Sequence, residues 1–262
     1  GSYDPDLRTY KKAKKILNKN KIKANLIKSK KYKNFYSSYF FNKKFNLPYI
    51  SAKIALSNDY YTINKRTKRI TNENSQKISH LLRSENDCVF STSKTINIDN
   101  AKLNCRIDGF NNNKPDLFIV DLHLKLKKTL SIYKISNKRK TYLITLKKNK
   151  NKINYYKKKG LKILFIESLQ TKKDFYSLFK DIYMLGYSRV FFETGLTFLN
   201  TLIKYKLIND LYIFQSAKKL KTNGLNNSSS KFLKKIKLNK RIQVNLNNDS
   251  LYKVEFWLCL MV

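Results

Sequence analysis

The chain has 262 residues, 42% of them hydrophobic, with 56 Lys and Arg against 17 Asp and Glu, a formal net charge of +39. That much apolar matter supports a core and excludes wholesale disorder, and no apolar run approaches the ~18 residues that a membrane span needs. Cys88, Cys105 and Cys259 are too scattered for a zinc pattern or a disulfide framework, so no metal is expected and a reducing cytoplasm is the expected home.

Taken naively, the charge indicates nucleic acid. Yet Lys, Asn, Ile, Tyr and Phe are all abundant while Gly, Pro, Trp and Met are scarce. The abundant residues share A/T-rich codons, so genome composition accounts for the balance, and no aromatic–basic reader motif is visible. A nucleic-acid partner is therefore the lesser reading. The positive field still attracts anionic ligands such as dinucleotides and sugar phosphates.

The opening Gly1-Ser2 reads as a cloning remnant. A Lys-rich helix is predicted from Asp4 to about Asn25, with Ala13, Ile16 and Leu17 as its apolar stripe, and an aromatic segment follows from Phe35 to Phe45. Tyr49 to Leu56 reads as a buried strand, Ser57 to Arg69 as a polar loop, and Ile78, Leu81 and Leu82 as the inner face of a helix. Strands are predicted at Cys88–Phe90, Leu117–Val120, Tyr142–Leu146 and Ile163–Ile166, the last two flanking a basic loop from Lys147 to Lys159. Thr171 and Asp174 have capping-box spacing, Gly186 stands where a helix would end, and Val190–Phe192 follows as a strand. A helix carrying Phe198, Leu199, Leu202 and Ile203, a strand at Leu211–Phe214, a loop at 223–230 and a terminal strand pair between Ile242 and Met261 complete the chain. Alternating strands and helices argue for an α/β fold with a central, largely parallel sheet covered on both faces.

Three features could carry chemistry. The strand–turn–helix around Glu193, Thr194 and Gly195 lets backbone approach a phosphate, although an ordinary βα turn looks similar. Arg83 and Arg106 kept arginine in a lysine-dominated chain, and only arginine offers a planar fork for phosphate. Other arginines, such as Arg139, read as surface residues. His80 and His123 lie in no metal-ligand spacing, and a zinc-deaminase signature is absent.

Four stretches in order resemble one family. They are PYISAKIALSND at 48–59, IT at 70–71 with HLLRSEND at 80–87, SKTINIDNAKLNCR at 93–106, and FETGLTF at 192–198 with LIND at 207–210. They resemble the reductase domain of the riboflavin-biosynthesis deaminase/reductase, whose fold is similar to dihydrofolate reductase. The resemblance implies a reductase domain over 48–262, preceded by a 1–47 segment resembling the tail of a deaminase domain that this chain lacks. It implies hydride transfer from NADPH to C1′ of a phosphorylated ribosylamino-pyrimidine, in a homodimer, with a related pyrimidine or a pterin as the nearby alternative. It further implies substrate contacts at Thr67, Arg83, Leu103, Arg106 and Glu193, the arginines on the ribose phosphate. Cofactor contacts would fall on Ala55, Arg69, Thr95, Asp99 and the turn Gly195, Leu196, Thr197, Phe198, Leu199, Asn200 and Thr201. No single obligatory protein base follows. The chain departs from the family pattern at Asn58, Tyr60, Arg69, Ala101, Leu122 and Thr194.

Overall fold

A computed structural model describes residues 3–4, 6, 8–26, 35–67, 69–111, 114–236, 238 and 240–256. Its strands are β1 Tyr49–Leu56, β2 Ile63–Asn64, β3 Cys88–Thr92, β4 Asp116–Val120, β5 Thr141–Leu146, β6 Lys162–Ile166, β7 Arg189–Glu193, β8 Asp210–Gln215, β9 Gly224–Leu225 and β10 Ser250–Glu255. Its α-helices are α1 Lys12–Lys19, α2 Ser37–Phe45, α3 Glu73–Ser84, α4 Ser93–Asp99, α5 Asn154–Lys158, α6 Lys172–Met184, α7 Leu196–Lys204 and α8 Lys231–Lys235. No helix among the described residues is long and apolar enough to cross a membrane. The described residues fall into two compact units, one drawn from 1–49 and 176–188, the other from 50–175 and 189–262.

In the first unit, α1 is shorter than its sequence pattern predicts. Lys11 adopts a left-handed conformation with φ 57° at its start, and Ile16 and Leu17 are 61% and 37% exposed rather than buried. Three apolar positions among so many lysines leave such a helix little to pack with. Asp4 and Asp6 accept from Tyr39 Oη at 2.9 Å and Lys43 Nζ at 3.0 Å, which ties the N-terminal segment to α2. Asn42, buried on α2, donates to the carbonyls of Leu47 and Ser188 at 2.7 and 3.1 Å. Gly186 takes φ 94°, the left-handed value that a helix end requires.

The second unit is built on an eight-stranded sheet in the order β10-β8-β1-β7-β3-β4-β5-β6. β1 pairs parallel with β8, and β7-β3-β4-β5-β6 pair parallel in succession, while β10 runs antiparallel on β8. All five residues of β4 are buried, and its Leu117–Val120 is the continuous apolar run that a sheet covered on both faces requires. Phe192, Phe90, Phe118 and Tyr142 form a ladder of rings across four neighbouring strands, with centroids 4.4–4.8 Å apart. The capping box holds: Thr171 N donates to Asp174 Oδ2 at 3.0 Å, and Asp174 N to Thr171 Oγ1 at 3.3 Å. Bonds to its Oδ2 from Ser168 Oγ and from the backbone N–H groups of Gln170 and Thr171 keep the Asp174 carboxyl well below the usual carboxylate range.

Two expectations change. The basic loop at 147–159 is a 3₁₀ segment, Lys147–Lys152, followed by α5, because Asn149, Ile153 and Tyr156 turn inward. The tail forms one sheet strand, β10, with a single bridge from Arg241 to Tyr252 in place of a strand pair; residues 257–262 lie outside the described residues. The polar loop and the 223–230 loop each contribute two residues to a small antiparallel pair, β2 with β9.

Candidate active site

From β3 the chain steps outward through β4 and β5 to β6. It then returns to place β7 between β1 and β3, and β8 lies beyond β1. Strand order therefore reverses around β7. In an open parallel sheet the crevice beyond the carboxyl ends of the strands at such a reversal is where ligands bind.

Glu193 is the last residue of β7 and is buried. Arg83 sits in the last turn of α3, whose start is fixed by Asn72 accepting from Ser75 N at 3.0 Å. The two form a fork-to-fork pair: Arg83 Nε donates to Oε1 and Nη2 to Oε2, the latter at 3.0 Å. Lys53, from β1, brings its Nζ to 3.8 Å from Glu193 Oε2, lying over the Phe214 ring at 5.5 Å. Burial raises the Glu193 pKa, but the Arg83 and Lys53 charges outweigh it, so the carboxyl stays below its usual range. For Lys53 burial is the larger effect, and its ammonium loses a proton more readily than usual despite Glu193 and, further off, Asp99.

The loop after α4 is drawn to the same place. Arg83 Nη1 donates to the Asn104 carbonyl at 3.0 Å, and Arg106 Nη1 donates to Asn104 Oδ1 at 2.8 Å. His80 Nδ1 lies among the Asn104 carbonyl at 3.0 Å, the Arg106 backbone N–H at 3.1 Å and Arg83 Nη1 at 3.2 Å. Burial first, and then Arg83 and Arg106, hold the His80 pKa down to about 4 from its ordinary 6.5. The unfolded chain thus takes up a proton near pH 6.5 that the folded chain refuses until about 4. Stability is expected to be full above about pH 6.5 and to fall as pH drops towards 4, with a slope of up to one proton. Urea melts of the wild type and His80→Gln between pH 4 and 8 check this; an unchanged slope in the variant would assign the effect elsewhere.

Arg139, expected at the surface, is buried. It donates through Nη1 to the carbonyls of Leu103 and Pro115 at 3.0 and 2.8 Å, and through Nη2 to that of Lys102. A guanidinium that satisfies three loop carbonyls replaces the water those groups would otherwise need. It thereby pins the loop in which Leu103 holds φ 54°.

Gly195 caps α7 without a side-chain partner, leaving the first N–H groups of the helix pointing outward. A Cβ there would meet only Thr95 Oγ1, at 3.9 Å, so Thr95 and the turn face a common open space. A diphosphate fits that cradle, because backbone can approach it and the helix N-terminus favours negative charge. Leu196 and Leu199 are buried and offer only backbone, while Phe198 stacks on Phe192 at 6.0 Å. Thr197 Oγ1 and Asn200 Nδ2 are engaged by the serine-rich loop, on Asn227 O at 3.4 Å and Ser228 Oγ at 2.7 Å; Thr201 Oγ1 bonds Thr197 O at 3.3 Å.

The structure thus gathers Arg83, Arg106 and Glu193, with Leu103 on the same loop as Arg106. It sets Thr95 beside Gly195, and Asp99 within electrostatic reach of Lys53. Thr67 and Arg69 stand on the exposed loop before α3, bonded to Asn64 at 2.8 Å and paired with Glu73 at 3.8 Å respectively, and Ala55 is half-buried in β1. Lys53, His80, Asn104 and Arg139 carry weight that sequence reasoning did not assign. Lys53 had a signal: a lysine in an otherwise apolar buried strand.

A mixed, mostly parallel sheet of this order, surrounded by helices, with a buried cluster at its reversal point, defines a dihydrofolate-reductase-like reductase. Residues 48–220 match the family described as the RibD C-terminal domain. The chain belongs to that family, which places it among the riboflavin-pathway reductases. Among solved structures, Acinetobacter baumannii RibD is similar with a TM-score of 0.77 at 18% identity, over 97% of this chain and 70% of that one. The Thermotoga maritima diaminohydroxyphosphoribosylaminopyrimidine deaminase/5-amino-6-(5-phosphoribosylamino)uracil reductase gives 0.68 at 17% identity, over 87% and 62%. The Saccharomyces riboflavin biosynthesis reductase Rib7 gives 0.64 at 18%, over 87% and 100%. At such identities the likeness establishes the fold. No curated protein matches the sequence.

Proposed function

We propose that this chain is the 5-amino-6-(5-phosphoribosylamino)uracil reductase of riboflavin biosynthesis, using NADPH and acting as a homodimer. The observation that carries the reading is the Lys53–Glu193–Arg83 cluster at the reversal point, one residue from the open Gly195 turn. The chemistry that NADPH supplies when bound is hydride donation from its nicotinamide ring to C1′. The N–H groups after Gly195 hold the diphosphate, with Thr95 beside them and Ala55, Arg69, Asp99 and the rest of 195–201 as further contacts. Thr67 and Leu103 contact the substrate. Arg106, the exposed arginine, holds the ribose phosphate, whereas the Arg83 fork is committed to Glu193. As C1′ gains hydride, its bond to the ring oxygen breaks and that oxygen needs a proton. We assign that proton to Lys53, whose burial eases its release. The substrate side of the family's chemistry then ends in an open-chain ribityl group.

The test is NADPH absorbance loss with freshly deaminated ribosylamino-pyrimidine phosphate. Substrate-dependent loss supports the reading. NADPH binding without turnover points to a related pyrimidine or a pterin, and absence of NADPH binding overturns it. Arg106→Ala should raise KM for this substrate about tenfold or more with little change in NADPH affinity, since a charged hydrogen bond is worth ~1.5–3 kcal/mol. An unchanged KM would remove Arg106 from the phosphate.

A further inference from the structure

Residues 122–166 hold fourteen lysines and Arg139 and not one Asp or Glu, a net +15 in 45 residues, while the other 217 carry +24. Residues 8–44 are as densely charged, a net +14 in 37 residues, so what sets 122–166 apart is how its lysines are held. All fourteen lysines are exposed. The segments that bear them are pinned together: Tyr155 Oη donates to Lys128 O at 3.0 Å, Tyr133 Oη to Lys127 O at 3.1 Å, and Ser136 Oγ to Lys159 O at 2.5 Å. Lys128 and Lys159 both lie over the Tyr155 ring, at 5.1 and 5.9 Å. Lys128 and Lys159 therefore share one surface, with Lys127 next to Lys128 in the chain and Lys157 on the same short helix as Tyr155.

We infer that this surface binds the phosphate backbone of a nucleic-acid duplex without reading its sequence. The chemistry selects that partner over other polyanions. No large apolar side chain of 122–166 is exposed, so the patch has neither the aromatic anchors of a protein interface nor the apolar face that inserts into a membrane. Tyr133 and Tyr155 are half-buried against each other, 6.0 Å apart and edge to face, with their hydroxyls spent on carbonyls. They offer no free face for an unstacked base, which disfavours single strands. What remains is a field of compact ammonium charges, suited to phosphates and to release of their counterions.

The test uses fluorescence anisotropy of labelled 20-base-pair RNA and DNA duplexes with the intact chain, between 50 and 200 mM KCl. The patch variant is K127Q/K128Q/K157Q/K159Q, and the charge-matched control is K11Q/K12Q/K14Q/K15Q, at the exposed start of α1. Each lost phosphate contact lowers the slope of log affinity against log salt by about 0.9, so the patch variant should lose roughly 3 to 4 from that slope. Its affinity at 100 mM KCl should fall at least tenfold, and that of the control less than threefold. Thermal midpoints equal to the wild type show that both variants fold. A preference for RNA or for DNA identifies the duplex in question. Equal weakening of the two variants, or no duplex binding at 100 mM KCl, overturns the inference, as does patch-dependent binding to anionic phosphatidylserine vesicles in place of duplex.

Discussion

Glu193→Gln is expected to abolish substrate turnover and to lower stability by about 3–5 kcal/mol, while NADPH still binds. The magnitude follows from what the change leaves behind. Glu193 faces the Arg83 fork and the Lys53 ammonium; Glu193 and Arg83 are buried, and the Lys53 side chain is 19% exposed. Removing the carboxylate strands two buried cations, and the amide can accept at one oxygen only. Arg83 would then turn away, and the Asn104 carbonyl and His80, which meet it through Nη1, would lose a donor. The loop carrying Arg106 would loosen with them. Urea unfolding gives the stability change, and NADPH fluorescence gives cofactor binding. A variant that is as stable as the wild type would show that the trio is more hydrated than its burial implies. A variant that turns over normally would remove Glu193 from the reaction.

Lys53→Met should lower kcat by roughly 10²–10⁴-fold, the usual range for loss of a positioned proton donor, with KM much less affected. Methionine keeps most of the volume against Phe214 and removes only the proton and the charge. Lys53→Arg tests the role more sharply. It restores a cation beside Glu193 and so the stability, but a guanidinium does not release a proton near neutrality, so turnover should stay low. The wild-type rate should also fall as pH rises past the depressed Lys53 pKa, somewhere below its ordinary 10.5. Full activity in Lys53→Arg would reduce the residue to an electrostatic prop.

The sheet was legible because buried strands announce themselves. Tyr49–Leu56, Leu117–Val120 and Val190–Phe192 are largely apolar runs that match observed strands within a residue or two. The helix start at Gly195 was legible because an apolar strand gives way there to apolar residues at helical spacing. What stayed hidden was pairing. Nothing local to Arg83 says that Glu193, 110 residues away, takes its fork, so it reads as a phosphate ligand. Arg139 reads as one more surface cation because its three carbonyl partners lie 24 to 37 residues back. His80 looks idle until the loop at Asn104 and Arg106 folds onto it. Charge density misled in the opposite direction. The whole-chain total hides the acid-free run at 122–166, and the tyrosine tethers show how Lys128 and Lys159 come together.

The insertion of β7 between β1 and β3 fixes when a functional protein can exist. As the chain is synthesised, β1, β3, β4, β5 and β6 emerge before the strand that joins the first two, so a nascent sheet must keep a slot open from Thr92 to Arg189. Lys53 and Arg83 wait as buried cations with no counter-charge until Glu193 arrives on that strand. Any truncation before residue 193 is therefore deprived of both its central strand and its charge balance. Such long-range closure is slow, and an unfilled strand slot is a surface prone to wrong pairing. Newly made chains should depend on chaperones more than the stability of the finished fold would suggest.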